Sequence, residues 1–342
     1  MNVKTNTNNE ITYLNIIKII ACLMVIVNHI SYYLLEYKGL FNTTFYCIFF
    51  SISKIGVPLF LFITGTLIID KEYDYKKILK CILRVFIPMF ILSFIIYIRE
   101  NGIHILSFFR TFFSIPIRYS YWYIYMLVGL YLVVPFLQKM VKKFEKKDYL
   151  FFLILFLFIP SFITTIGVYT NFSISKYFSD SIFSVAVSLV ILGNYLSKIN
   201  LSRKKFIISV LIFFVSFSIQ FLSMYIPYLH DGEISYQLDF WDSLSVIFMG
   251  GSVFYILRCI LENIKYKTTT NEVISIISKT TFGIYLIHEL AVKYVYSSVL
   301  FNFCPIIGQI VLYFGVFILS SFAVYIFKKS GGYILKRLGL IN

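Results

Sequence analysis

The chain has 342 residues, 59% of them hydrophobic, 20% aromatic and only 14% charged, with a mean hydropathy of +0.83. Soluble domains carry roughly a quarter charged residues, so this composition excludes a soluble protein. The longest polar stretches, Arg99 to Arg118 and Pro227 to Asp239, are loop-sized and leave no room for a soluble catalytic domain. The net charge of +15 would point to nucleic acid in a soluble chain, but here its placement follows membrane topology and no nucleic-acid partner is expected.

Apolar runs of about 20 residues are long enough to span a bilayer. In chain order they fall at 12–35, 45–69, 78–98, 119–137, 149–168, 181–197, 206–226, 240–261, 281–300 and 305–327. This predicts an all-α fold, a polytopic membrane helix bundle of about ten transmembrane helices. Basic clusters follow the even-numbered spans: Lys71/Lys76/Lys77/Lys80, Lys139/Lys142/Lys143/Lys146/Lys147, Lys198/Arg203/Lys204/Lys205, Arg258/Lys265/Lys267/Lys279 and Lys328/Lys329/Lys336/Arg337. The odd-numbered connections hold only Lys38, Arg99, Arg110, Arg118 and Lys176. By the positive-inside rule both termini are cytoplasmic, and the expected location is the cell membrane, multi-pass.

The expected organisation is a short polar cytoplasmic N-terminus over 1–11, a single transmembrane domain over 12–327 and a basic cytoplasmic tail over 328–342. The first span is too long for a cleaved signal peptide and contains Lys18, so it is expected to stay. Sequons at Asn42 and Asn171 fall on the outer side. The five cysteines are scattered without metal-ligand spacing and read as packing residues. No Gly-rich phosphate loop, zinc motif or serine elbow occurs, and no metal is expected.

The first span carries the most informative pair, Lys18 and His29, with ten apolar-rich residues between them. Eleven residues of α-helix make three turns plus about 20° and rise about 16 Å. Asn15, Lys18, Cys22, Val25 and His29 therefore share one stripe. Ionisable groups at membrane depth are costly and tend to mark a pathway or site; the alternative is a snorkelling lysine and a histidine that bonds a neighbouring helix. Pro58 and Pro88 lie inside the second and third spans, where each removes a backbone hydrogen bond and can kink its helix. A cavity between spans one to three is expected.

Lys80 and Arg84 enter the third span at i,i+4 and face the same way, an arrangement suited to a phosphate-bearing ligand from the cytoplasm. Lys76 and Lys77 read as ordinary flanking charge. In the ninth span Glu289 and Lys293 are also i,i+4 and are expected to neutralise each other. The outer loop from His230 to Asp242 is acidic and aromatic, which suits a sugar ring. Acidic outer loops are also what charge asymmetry leaves behind, and that reading is preferred.

Five stretches, in order and at suitable spacing, resemble the membrane acyltransferase-3 family, which acylates extracytoplasmic sugars and similar acceptors. They are YLNIIKIIACLMVIVNH in the first span; KIGVPLFLFITG, Lys54 to Gly65, in the second; the basic entry with Arg84 in the third; Trp122, Tyr123, Gly129, Leu130, Tyr131 and Pro135 in the fourth; and TFGIYLIH, Thr281 to His288, in the ninth. The resemblance implies that His29 is the catalytic residue and that Lys18 and Arg84 help hold an acyl-coenzyme A donor. Asn15, Trp122, Tyr285, His288 and Glu289 are further candidates for the site. The chain departs from the family in having Lys18 for an arginine, Asn15 for a frequent aspartate and Cys81 at the first arginine of a pair. Lys80 is the residue that would replace that arginine, with a point charge in place of a bidentate fork.

The activity so implied is transfer of an acetyl group from cytoplasmic acetyl-CoA to a hydroxyl of an extracytoplasmic cell-surface carbohydrate. His29 would serve as general base or as an acylated nucleophile; the sequence leaves both open. The rival from another class is an exporter of a polysaccharide or lipid-linked intermediate, its charged residues lining a path with no covalent chemistry.

Overall fold

The computed structural model describes residues 7–71, 74–170 and 184–337, with side chains described over 12–71, 74–170 and 184–330. Residues 1–6 of the polar N-terminus, the Asn171 sequon, Lys176, residues 181–183 of the sixth predicted span and 338–342 of the tail lie outside the described residues, as do the Lys336 and Arg337 side chains. Among the described residues every regular element is helical.

The order is α1 (Thr7–Ile30), a 3-10 turn (Ser31–Glu36), α2 (Leu40–Ser53), α3 (Gly56–Ile68), α4 (Tyr75–Asn101), α5 (Ile105–Ser114), α6 (Trp122–Val141) and α7 (Lys146–Leu153). A π-turn over Ile154–Phe158 joins α7 to α8 (Ile159–Thr170). Then come α9 (Val185–Lys198), α10 (Arg203–Asp231), α11 (Leu244–Leu261), α12 (Thr268–Val295), α13 (Ser298–Phe303) and α14 (Pro305–Arg337). Nine helical stretches among the described residues are long and apolar enough to cross a membrane. The chain is thus a polytopic helical bundle.

The sixth predicted span differs: its described part, α9, has only 14 residues, about 21 Å at the α-helical rise. Ala186 through Asn194 are all buried, so neighbouring helices and not lipid enclose it. Its closest partner is α3. A Cβ on Gly65 would collide with the Val190 carbonyl, and one on Gly193 with the Phe62 backbone, so the two helices touch backbone to backbone. Small residues permit such approach where apolar lipid gives helices no hydrophobic reason to associate. The Thr66 hydroxyl adds a bond to the Gly193 carbonyl at 3.3 Å.

The second predicted span is two helices. It breaks at Lys54 and Ile55, between α2 and α3. Pro58 lies in the first turn of α3, where its missing N–H would have had no intrahelical acceptor. Pro88, by contrast, sits inside an uninterrupted α4.

α1 and α12 run parallel along a ladder with a nearly constant offset. The Thr12 hydroxyl donates to Asn271 Oδ1 at 3.0 Å, the Ser278 hydroxyl to Asn15 Oδ1 at 2.8 Å, and the Cys22 thiol to the Thr281 carbonyl at 3.6 Å. Beyond the helix, Tyr37 and Tyr296 meet at 3.4 Å. Two spans run parallel only if an odd number of crossings lies between them. With α9 counted as a crossing, α12 is the ninth span and the parity is satisfied. The ladder thus gives the short helix its place in the topology.

Candidate active site

The break in the second span opens a cavity of about 500 Å³ on the side away from the basic clusters. Its walls are Asn28 and His29 from α1, Phe50, Ser53 and Lys54 from the break, Tyr119 and Trp122 at the start of α6, Asp239 and Trp241 from the loop before α11, and Tyr285 from α12. It therefore lies between α1, the break, α6 and α12, not between the first three spans. No residue of α4 lines it.

Lys54 is the charge that an apolar helix cannot carry, and the break gives it a partner. Its ammonium pairs with Asp239, lies 3.7 Å from the centre of the Phe50 ring and leaves only 9% of the side chain exposed. Asp239 is presented by a loop that α10 and α11 hold in place: Gln220 Nε2 donates to the Leu238 carbonyl at 3.0 Å while its Oε1 accepts from Ser245 at 2.8 Å. In the same loop burial raises the Asp242 carboxyl above the ordinary carboxylate range. Trp241 stacks on Trp122 with centroids 5.8 Å apart and planes at 28°. The reading of this loop as leftover acidity is therefore incomplete, since Asp239 and Trp241 form a wall of the cavity that contains His29.

His29 and His288 face each other across the α1–α12 seam, ring centroids 5.2 Å apart. His288 Nδ1 donates to the Tyr285 carbonyl at 2.8 Å, which fixes the proton on Nδ1 and leaves Nε2 as an acceptor in the neutral ring. That Nε2 is buried and has no partner among the described residues. Tyr285 is fixed in turn by its hydroxyl, which donates to the Ser120 carbonyl. Glu289 completes the cluster: one ligand-type atom from each of His29, His288 and Glu289 falls within 4.8 Å of the others. These three donors are also close enough to hold a divalent cation. The expected Glu289–Lys293 pair does not form; Lys293 instead lies over the Tyr294 ring at 4.8 Å. Glu289 belongs with the histidines because it turns toward α1.

At the other end of the same seam the structure gathers cations. Lys18 lies in the field of Lys328, and Lys328 in the fields of Lys279 and Arg84. Lys18 of α1 and Arg84 of α4 thus both lie near Lys328 of α14. Lys80 is exposed one turn before Arg84 and has no ion-pair partner among the described residues. Asn15 is a rung of the ladder. Arg258, counted above with the flanking charge, is buried, pairs with Glu262 at 2.7 Å and caps the Leu196 and Ile199 carbonyls at 2.9 Å.

Sequence reasoning missed Lys54 as a cavity residue, and it set aside Asp239 and Trp241 by preferring charge asymmetry to sugar binding for their loop. For Lys54 the signal available was a lysine inside the apolar run 45–69, two residues before Gly56.

Two imidazoles and a carboxylate clustered at one cavity, with basic residues at the opposite end of the same helix pair, make this a polytopic membrane helix bundle with ionisable groups at both ends of one seam. The chain belongs to the acyltransferase-3 family, whose acyltransferase domain matches residues 11–328. It is a multi-pass membrane acyltransferase. No curated protein and no solved structure matches it.

Proposed function

We propose that the protein resides in the cell membrane and transfers an acetyl group from cytoplasmic acetyl-CoA to a hydroxyl of an extracytoplasmic cell-surface carbohydrate. What carries this reading is α1 itself, which places Lys18 in the basic cluster and His29 in the cavity on the opposite side. A donor bearing phosphates is attracted to Lys18 and Arg84, with Lys80 at the rim, and its thioester is directed along the α1–α12 seam toward His29. The acceptor enters from the outer cavity, where stacked Trp122 and Trp241 offer an aromatic face and Lys54, Asp239 and Asn28 offer polar contacts to ring hydroxyls.

His29 acts as general base. It takes the proton of the acceptor hydroxyl as the oxygen attacks the acyl carbonyl. That proton then passes to the departing thiolate, so the ring returns to its starting state. Glu289 stabilises the imidazolium formed in between, and His288, its tautomer fixed by the Tyr285 carbonyl, holds the geometry. The same cavity without covalent chemistry would suit an exporter, and activity separates the two. Purified protein in lipid, given radiolabelled acetyl-CoA and cell-wall carbohydrate, should label the carbohydrate with wild type and not with His29→Ala. Passage of carbohydrate with no label transferred by wild type would favour the exporter.

A further inference from the structure

Lys328 of α14 lies in the fields of three cations from three other helices, Lys18 of α1, Arg84 of α4 and Lys279 of α12, at the basic end of the bundle. None of them is in an ion pair among the described residues. Lys328 is not free to swing away from the others, because its ammonium donates to the Lys279 carbonyl at 2.5 Å. Arg84, Lys279 and Lys328 are exposed, so water screens their repulsion, and the concentration of positive charge favours an anion at this surface.

A cleft of about 470 Å³ opens beside this cluster between α1 and α12, with Lys279 in its wall. That volume falls within the range of small-molecule sites, about 300–1,000 Å³. The rest of the wall is polar and mostly uncharged, with Asn15, Asn271 and Ser275 offering amide and hydroxyl groups. Asn15 and Asn271 each use Oδ1 to accept a ladder hydrogen bond, which leaves their NH2 groups to donate. One carboxylate, Glu272, lines the cleft, suited to accept from sugar hydroxyls or an exocyclic amine and outnumbered by the cations beside it.

We propose that this cleft and the Lys279–Lys328 pair bind the nucleotide end of the acyl donor, with phosphates on the lysines and the nucleoside in the cleft. The proposal rests on the acyl-CoA reading above and extends the donor site to α12 and α14. Lys279 and Lys328 thereby become binding residues, and the α1–α12 seam is occupied at both ends, by nucleotide below and by the reacting groups above.

The test measures equilibrium binding of adenosine 3′,5′-bisphosphate and of acetyl-CoA to the full chain in nanodiscs of zwitterionic lipid, then in nanodiscs containing phosphatidylglycerol. Lys279→Ala and Lys328→Ala should each weaken both ligands by about tenfold, the loss of one charge-assisted hydrogen bond, and arginine at either position should restore most of the affinity. Lys139→Ala, elsewhere on the basic face, should change nothing, and unaltered melting would confirm that the variants fold. Acyl transfer by wild type with donor KM unchanged in both alanine variants would overturn the proposal and leave the acyltransferase reading intact. Wild type that retains phosphatidylglycerol through these lysines and binds no bisphosphate would reveal a lipid-headgroup site, again overturning it. Wild type that neither binds acetyl-CoA nor transfers acyl groups would remove the reading and the proposal together.

Discussion

His29 and His288 stand 5.2 Å apart, centroid to centroid, at the end of a ladder whose first rung joins Thr12 to Asn271 across 259 positions of sequence. The same offset relates Cys22 to Thr281 and Tyr37 to Tyr296. The imidazoles meet because two long helices pack in parallel and in register, not because of any local motif.

That register is open to a direct check. With the five native cysteines replaced, a Thr12→Cys/Asn271→Cys pair should crosslink under mild oxidation, since the native side chains meet at 3.0 Å. A Thr12→Cys/Val295→Cys pair, at opposite ends of the seam, should not. In intact cells, single cysteines near Lys142 and Lys204 should resist an impermeant thiol reagent while one near Gly232 is labelled. Crosslinking of the second pair, or labelling near Lys142, would overturn the parallel arrangement or the orientation.

Gly65 tests the backbone contact between α3 and α9. Gly65→Val forces side-chain atoms into the Val190 carbonyl, and overpacking of this kind costs roughly 1–3 kcal/mol. The variant should melt lower in detergent than wild type, whereas Gly129→Ala, with nothing within 4 Å of its added Cβ, should lose only slightly or gain. Equal melting of Gly65→Val and wild type would mean that the helices do not touch there.

The sequence makes the long spans legible because runs such as 206–226 face lipid along much of their length and are apolar throughout. It misplaces what packing decides. α9 is short because protein encloses it, and hydropathy cannot distinguish that burial from lipid. The break at Lys54 hides in an apolar run because the compensating charge, Asp239, lies 185 positions away. His29 and His288 are each visible as ionisable residues at membrane depth, and the family motif marks both. Their proximity, and the turn of Glu289 away from Lys293, follow only from the parallel seam.

Lys54 and Asp239 should behave as a unit. Asp239→Asn leaves the buried Lys54 ammonium without its partner, whereas Lys54→Gln leaves a carboxylate that is about a third exposed, so both should raise the KM for acceptor and Asp239→Asn should lower the yield of folded protein more. The double variant should recover part of the loss, with a coupling energy of about 0.5–3 kcal/mol from a double-mutant cycle. Additive losses would show that the pair does not act as one wall of the cavity.

The central claim is that His29 moves a proton during acyl transfer, and the most direct measurement is the rate of transfer by His29→Gln beside His29→Ala, with acetyl-CoA binding measured on the same preparations. Glutamine hydrogen-bonds but does not shuttle a proton at neutral pH. Both variants should bind donor, remain folded and transfer no acyl group, at least about a hundredfold below wild type as the loss of a general base demands. Substantial transfer by His29→Gln, with His29→Ala poorly folded, would contradict the account and make His29 a packing residue.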